Sequence, residues 1–494
     1  MSKVQFFIEN GSSPAKVLRE TIYSLLLCNQ KKNTMQKTRL SALIAALVLC
    51  LMAYGRQTGN QQQASQAYMS NYQKVMDRTA WWRHDRFGMF IHFGAYAVPA
   101  RGEWVKSNER ITTEAYQKYI EAFNPVDFDA RQWARLAKAA GMKYAVMTSK
   151  HHDGYCLFDS KLTDYKLSPR FQGRDLVREF LDAFRAEGIK VGLYYSIIDW
   201  HHPDYPNVGN HPQRDDKEYA KRKFNWDNYL KYMHGQVEEL VTGYGKLDIM
   251  WFDYSFGDYT GDKWKARELV EMVRRHQPGI ILDNRLEIHE GTANRTRTVT
   301  ALGDFETPEQ GIPDVPLTDK YGNPIPWETC LTLNDHWGYA EFDKDWKSAE
   351  LVVHTLVNCV SKDGNLLLNV GPDARGNIPA ESVEILTEVG KWMQVNHESI
   401  YGCGRSALPK PDWGRYTQKD KTVFAHWLHP NVGYLNARGI DHNQVNGIWF
   451  QYSGAELNYF PTWWGNTGEG NLFINVNRTE KPFRFDTVVK IQLK

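Results

Sequence analysis

The sequence predicts an α/β chain, with an irregular (β/α)8 TIM-like barrel over residues 75–404 and a C-terminal antiparallel β-sandwich over 405–494. Two observations predict the barrel. Apolar, strand-like runs alternate with amphipathic helical stretches from about residue 81 to 404, and so many βα units in succession build a barrel. Successive runs also end on polar or ionisable residues, and the carboxyl ends of the strands are where such a barrel keeps its chemistry. A third observation predicts the second domain: beyond residue 405, short runs between turns alternate apolar and polar residues. A doubly wound sheet is the alternative for the first part. No GxGxxG follows the first strand, which argues against dinucleotide binding.

The N-terminus reads as a leader. From Met35 the chain runs MQKTRLSALIAALVLCLMAYG, with Lys37 and Arg39 ahead of an apolar stretch from Ala42 to Ala53. That stretch is too short to span a bilayer comfortably and has signal-peptide proportions, and Ala53, Tyr54 and Gly55 offer a cleavage site. Residues 1–55 are therefore expected to be a leader, with Met35 as an alternative start, and the mature chain is expected to be exported, periplasmic or secreted. Cys50 offers a lipid anchor as a variant of this reading, although Leu49 before it is larger than the residue usual there. Residues 56–74 are mostly polar and read as a tether.

Within the barrel region, strands are expected at 87–94 (FGMFIHFG), 144–150 (YAVMTSK), 190–196 (KVGLYYS), 247–253 (LDIMWFD), 280–284 (IILDN) and 365–371 (NLLLNVG). Helices are expected at 129–141, 173–188, 224–242, 264–276 and 346–361. In the second of these, Leu176, Val177, Phe180, Leu181 and Phe184 fall on one face. The sandwich strands are expected at 422–428, 446–452 and 488–494. In the last, Val489, Ile491 and Leu493 alternate with Lys490, Gln492 and Lys494.

Composition narrows the function classes. The 494 residues carry a net charge of +2, but the first 55 hold seven Lys/Arg and two Asp/Glu, and without them 53 basic residues face 56 acidic ones. No basic block remains to suggest nucleic acid. Cys156, Cys330, Cys359 and Cys403 form no CxxC pair, so neither a zinc site nor a disulfide framework is implied. Seventeen Trp, 26 Tyr and 22 Phe make the chain aromatic-rich, which suits a sugar-binding cleft as well as a core.

The strand ends carry the chemistry. His92 lies at the end of the first strand, His151 and His152 follow the second, Tyr194 ends the third, Asp253 ends the fourth and Arg285 follows the fifth. Together they describe a polar pocket suited to a polyhydroxylated ligand. Metal-assisted hydrolysis would use His92, His151, His152 and Asp253 as ligands. Yet HxH and HExxH spacings are missing, and adjacent histidines at one strand end diverge. Glycoside hydrolysis instead needs two carboxyl groups across the scissile bond. For a partner to Asp253, residues 303–310 (GDFETPEQ) offer Asp304, Glu306 and Glu309.

The runs GMFIHFGAYAVPARGEW, YAVMTSKHHDGYCLFDS, GLYYSIIDW, IMWFDY, GDFETPEQ, WETC with DHWGY, and SKDGNLLLNVGPDARGNIP occur in that order. Over about residues 75–404 the chain resembles glycoside hydrolase family 29, the α-L-fucosidases. The resemblance implies an exo-acting, retaining, cofactor-free and metal-free hydrolase of terminal α-L-fucosyl linkages, working through a covalent fucosyl-enzyme intermediate on fucosylated oligosaccharides or glycoconjugates. It makes Asp253 the nucleophile and Glu309 the acid/base, with Glu306 as runner-up because that loop varies within the family. It assigns fucose contacts to His92, Glu103, Trp104, His151, His152, Tyr194 and Arg285, with Trp337 as a wall. The acid role asks for an apolar or electron-rich setting around Glu309. The methyl group of the 6-deoxy sugar is expected against Trp251, Phe252 or Trp337, and NLLLNVGP is expected to be structural. The competing functions are a catalytically silent fucose-binding protein and a metal-dependent hydrolase. Linkage preference depends on variable loops, which the motifs do not specify.

Overall fold

The computed structural model describes residues 66–287, 302–319, 321–431, 433–461, 470–476 and 483–494. The leader over 1–55, its Cys50 and residues 56–65 of the expected tether lie outside the described residues. The chain divides into two units, Met1–Lys74 and Val75–Lys494. In the first, residues 66–74 are helical, where the sequence suggested a tether. Among the described residues no helix is long and apolar enough to cross a membrane.

The second unit opens with a helical stretch through residue 85 and then lays down parallel strands: β1 Phe87–Ile91, β2 Tyr144–Lys150, β3 Lys190–Ser196, β4 Ile249–Asp253, β5 Ile281–Leu282, β6 Glu328–Thr332 and β7 Asn365–Val370. They form one sheet in the order β5-β4-β3-β2-β1-β7-β6. Helices α1 Thr113–Ala122, α2 Ala130–Ala139, α3 Leu176–Ala186, α4 Trp226–Gly243, α5 Ala266–His276, α6 Ala349–Val360 and α7 Ala380–Asn396 intervene or follow. Several start where a side chain satisfies an otherwise orphaned N–H: Asp129 for α2, Asp175 for α3, Asn225 for α4 and Ser348 for α6.

The sheet curls until its two edges are joined by residues 304–310. Asp304 N–H donates to Leu282 O at 2.7 Å on the β5 side, while Glu328 N–H donates to Glu306 O at 2.9 Å and Gln310 N–H to Cys330 O at 2.9 Å on the β6 side. Parallel bridges Asp283–Phe305, Glu306–Trp327 and Glu309–Cys330 run along the same join. The stretch read from sequence as a loop is thus the eighth stave of the barrel. Strand β6 was not expected at all, the first strand ends at Ile91 rather than residue 94, and the fifth shrinks to two residues.

One apolar cluster lies between the outer face of the sheet and the helices, and another fills the barrel, with Trp82, Phe90, Tyr144, Val146, Tyr194, Ile249, Trp251, Ile281, Phe305, Cys330 and Leu367. Beyond residue 404, β8 Gly404–Arg405, β9 Gly414–Lys419, β10 Thr422–Trp427, β11 Leu435–Arg438, β12 Val445–Phe450, β13 Tyr459–Phe460, β14 Asn471–Ile474 and β15 Thr487–Leu493 make two antiparallel sheets. Their orders are β12-β15-β10-β9-β8 and β11-β14-β13, and a third apolar cluster takes residues from both. Arg405 N–H donates to Asp363 Oδ1 at 2.8 Å and His354 Nε2 lies 2.6 Å from Phe485 O, so this part is fastened to the barrel.

Candidate active site

The carboxyl ends of the inward-facing strand positions converge on one narrow pocket. It is lined by Phe90, His92, Trp104, His151, His152, Tyr194, Trp251, Asp253, Tyr254, Arg285, Glu309, Cys330 and Trp337, around about 30 Å³ of free space. Asp253 closes β4, and Tyr254 after it holds φ at 86°, a left-handed value that costs an aromatic residue about 1–3 kcal/mol and turns the chain sharply away. Strain of that kind persists where surrounding bonds over-determine it; here the Tyr254 hydroxyl accepts from Asn210 Nδ2 at 2.5 Å.

Arg285 joins the two carboxyl groups. Its Nη1 donates to Asp253 Oδ1 at 2.8 Å and its Nη2 to Glu309 Oε2 at 2.7 Å. Nε donates to Thr307 Oγ1 at 2.9 Å, and the guanidinium carbon sits 4.5 Å from the centre of the Trp251 ring. Asp253 Oδ2 also accepts from the Tyr194 hydroxyl at 2.7 Å, and Glu309 Oε1 from Trp337 Nε1 at 3.2 Å. Burial raises the Asp253 carboxyl above its ordinary range; Arg285 pulls it back, Glu309 adds to the rise, and the Tyr194 hydroxyl opposes it. The setting around Glu309 differs from the apolar or electron-rich one expected: a guanidinium and an indole N–H both point at it.

The eighth stave explains which acidic residue reaches the pocket. Side chains alternate along it as on any strand. Phe305 turns inward against Trp82 with ring centroids 4.7 Å apart, Thr307 meets Arg285, and Glu309 enters the pocket. Glu306, of opposite parity, is absent from the lining, and Asp304 is taken up by ion pairs with Arg78 and Arg274 at 2.6 and 2.9 Å. Parity separates the aromatic candidates too. Trp251 lines the pocket, whereas Phe252 packs in the outer cluster against the helices.

His92 and His152 are held as neutral rings with defined tautomers. Asn369 Nδ2 donates to Trp337 O at 2.7 Å, which leaves its Oδ1 to accept from His92 Nδ1 at 2.8 Å. Ser196 gives its proton to Ile198 O at 2.8 Å and so accepts from His152 Nδ1 at 2.7 Å. In both rings the proton therefore sits on Nδ1 and Nε2 is left as an acceptor. His152 Nε2 lies 3.8 Å from Asp253 Oδ2. Burial pushes His92 down to about 4 and holds His151 and His152 well below the ordinary histidine value. His151 stacks on Tyr194 at 5.5 Å, and Trp104 meets His152 edge-on at 5.0 Å.

Nine of the ten expected site residues line this pocket. Glu103 does not: it is buried behind the Trp337 segment, where its Oε2 accepts from Gly338 N–H at 2.8 Å, and burial raises its carboxyl. Among the described residues no group of three or more His, Cys, Asp or Glu is placed to hold a metal ion. Phe90, Tyr254 and Cys330 line the pocket, and Ser196, Thr307 and Asn369 orient it, without having been singled out. Their signal is parity: Phe90 precedes His92 by two, Ser196 follows Tyr194 by two, and Asn369 follows Leu367 by two.

The chain is similar to known proteins. A family model described as alpha-L-fucosidase matches residues 56–398. The alpha-L-fucosidase of Dictyostelium discoideum is 30% identical over 370 residues, 68% of this chain and 75% of that protein. The plasma alpha-L-fucosidase of Homo sapiens is 28% identical over 439 residues, 78% and 88% of the two chains. Among solved structures, alpha-L-fucosidase isoenzyme 1 from Paenibacillus thiaminolyticus is 52% identical with a TM-score of 0.81, covering 85% of this chain and all of that one. A GH29 alpha-L-fucosidase from Bacteroides thetaiotaomicron, a trapped covalent intermediate with 2-fluoro-fucosyl fluoride in a Glu-to-Gln mutant, is 27% identical with a TM-score of 0.73 over 85% and 96%.

Proposed function

The chain belongs to the alpha-L-fucosidase family of glycoside hydrolases, and we propose that its pocket cleaves terminal α-L-fucosyl linkages by double displacement, with Asp253 as nucleophile and Glu309 as acid and base. The observation that carries this assignment is the single guanidinium of Arg285 holding both carboxyl groups, at 2.8 and 2.7 Å, in a pocket walled by histidines and indoles. The substrates are fucosylated oligosaccharides or glycoconjugates. In the first step an Asp253 oxygen bonds to the anomeric carbon while the glycosidic bond breaks, and the leaving oxygen takes its proton from Glu309. In the second step Glu309 takes a proton from water, the water oxygen bonds to the anomeric carbon and the bond to Asp253 breaks.

The sugar and its leaving group take over the contacts that Arg285 and Trp337 make with Glu309, which frees that carboxyl to carry the proton. Neutral His92 and His152 offer Nε2 to sugar hydroxyls, so removing a ring hydroxyl leaves a buried acceptor unpaired. Positive charge at the anomeric centre develops beside Asp253, whose hydrogen bonds from Arg285 and Tyr194 are already in place and need no reorganisation. The leader read before residue 56 supports export, with Cys50 as an alternative anchor, and N-terminal sequencing of the exported protein tests it.

Azide distinguishes the two roles. With an aryl fucoside whose leaving group needs little protonation, Glu309→Ala still forms the intermediate, and azide intercepts it to give a fucosyl azide of retained configuration. Asp253→Ala forms no intermediate and loses turnover of the same substrate, on the order of 10⁴-fold or more. Full activity of Glu309→Ala on natural glycans would remove Glu309 from the acid role.

A further inference from the structure

Below the pocket the barrel floor holds a carboxyl group that the reaction above does not use. Glu328, the first residue of β6 and the glutamate of WETC, is fully buried. Its Oε1 accepts from Trp251 Nε1 at 3.3 Å; its Oε2 accepts from the Tyr144 hydroxyl at 2.6 Å and from Trp82 Nε1 at 3.2 Å. An indole N–H can only donate. Tyr144 is committed as a donor as well, because Asn365 Nδ2 donates to its oxygen at 3.3 Å. Three donors thus converge on two oxygens, a site built for a group that only accepts. Burial pushes the carboxyl up to about 7 against the pull of those three hydrogen bonds. The barrel also makes room for the arrangement: a Cβ on Gly88 would come within 2.3 Å of the Tyr144 ring, so a bare glycine lets that ring cross the interior.

Trp251 is at the same time the ring on which Arg285 rests, 4.5 Å from its centre, and a wall of the pocket. An indole whose N–H is bonded to a carboxylate offers a more electron-rich face to a cation. Resting on the function proposed above, we infer that Glu328 is a positioning residue of the active site: its carboxyl group fixes Trp251 beneath Arg285 and so sets the guanidinium that holds Asp253. The chain of contacts runs from β6 through β4 to the turn after β5.

Glu328→Gln keeps the volume and replaces one acceptor oxygen by an NH2 that must face an indole N–H whichever way it turns. Arg285 then loses its fixed seat. Misalignment of reacting groups appears in kcat, where displacements of about 1 Å can cost about 100-fold. The test measures kcat and KM on an aryl α-L-fucoside for the wild type, Glu328→Gln, Trp251→Phe and the double variant, with circular dichroism and thermal unfolding on each. Each single variant is expected to lower kcat by about 10- to 100-fold, with KM within about threefold for Glu328→Gln, and the double variant is expected to have a kcat no worse than the poorer single one, because both break one contact. A Glu328→Gln enzyme with wild-type kcat or with a rise in KM alone, or kcat losses that multiply in the double variant, would overturn the inference. If Glu328→Gln does not fold, Trp251→Phe breaks the same contact from the other side, and an unchanged kcat there overturns it equally. Asp253→Ala assayed in parallel reports on the proposed function alone: wild-type turnover there sinks that reading, whereas its inactivity beside a normal Glu328→Gln enzyme sinks this one.

Discussion

Burial sets the charge of His92. Its imidazole, held to about 4 in the folded protein, compares with 6.5 when exposed. Above pH 6.5 the ring is neutral in both states. Between 6.5 and 4 the unfolded chain binds a proton that the folded chain refuses, so stability falls as pH falls through that window and levels off below it, a loss of up to about 3 kcal/mol from this one group. His151 and His152 act in the same direction, whereas the raised Asp253 carboxyl acts in the opposite one. Removing this one group is accordingly expected to change the slope of melting temperature against pH between 6.5 and 4, with His92→Asn losing less stability on acidification than the wild type; an equal slope in the two proteins would contradict the assignment. At this scale much was legible. His92, His151, His152, Tyr194, Asp253 and Arg285 stand at strand ends, where polar residues after apolar runs attract notice. What the sequence does not display is pairing across the barrel: nothing in it shows Arg285 between two carboxyl groups, or Glu103 bonded to Gly338 behind the wall.

The eighth stave supports Glu309 as the proposed acid. Residues 303–310 carry glycine, proline and acids and read as a loop, yet both edges of the sheet bond to them, and a strand's period of two then turns 305, 307 and 309 inward. Glu306→Gln is therefore expected to keep activity within about twofold, while Glu309→Gln loses about 10²–10⁴-fold on glycans with poor leaving groups. Comparable losses from both, measured as kcat/KM on one oligosaccharide, would show that the alternation is not kept in the working enzyme. Strand β6 escaped notice for a related reason. In ETCLT the inward positions are Glu328, Cys330 and Thr332, so the run lacks the apolar density of a buried strand, because its inward face serves the floor and the pocket. Strand β4 was visible because its inward Ile249 and Trp251 are apolar up to Asp253. Helix α3 was visible from its apolar face and ends within a few residues of the expected span, at Leu176–Ala186.

At the scale of the whole molecule, the alternation of strands and helices announced a barrel and the period-two runs near the C-terminus announced antiparallel sheets, and both are present. How the ring closes was not legible, since closure depends on bonds between residues far apart in the chain and on a stave with too few apolar residues to declare itself. The fastening of the sandwich was equally hidden. His426 sits with Nδ1 2.8 Å from Asp486 Oδ2 and Nε2 3.0 Å from Thr417 Oγ1, and that hydroxyl donates to Ser399 O at 2.7 Å, linking the second domain to the end of the barrel. The proposed function rests on Asp253 being aimed at an anomeric carbon. Covalent capture tests it most directly: the Glu309→Gln protein is incubated with 2-fluoro-fucosyl fluoride, digested, and its peptides are sequenced by mass spectrometry. The expected result is a single fluorofucosyl adduct on Asp253, absent from the Asp253→Ala protein; an adduct on another carboxylate, with Asp253 unmodified, would contradict the account.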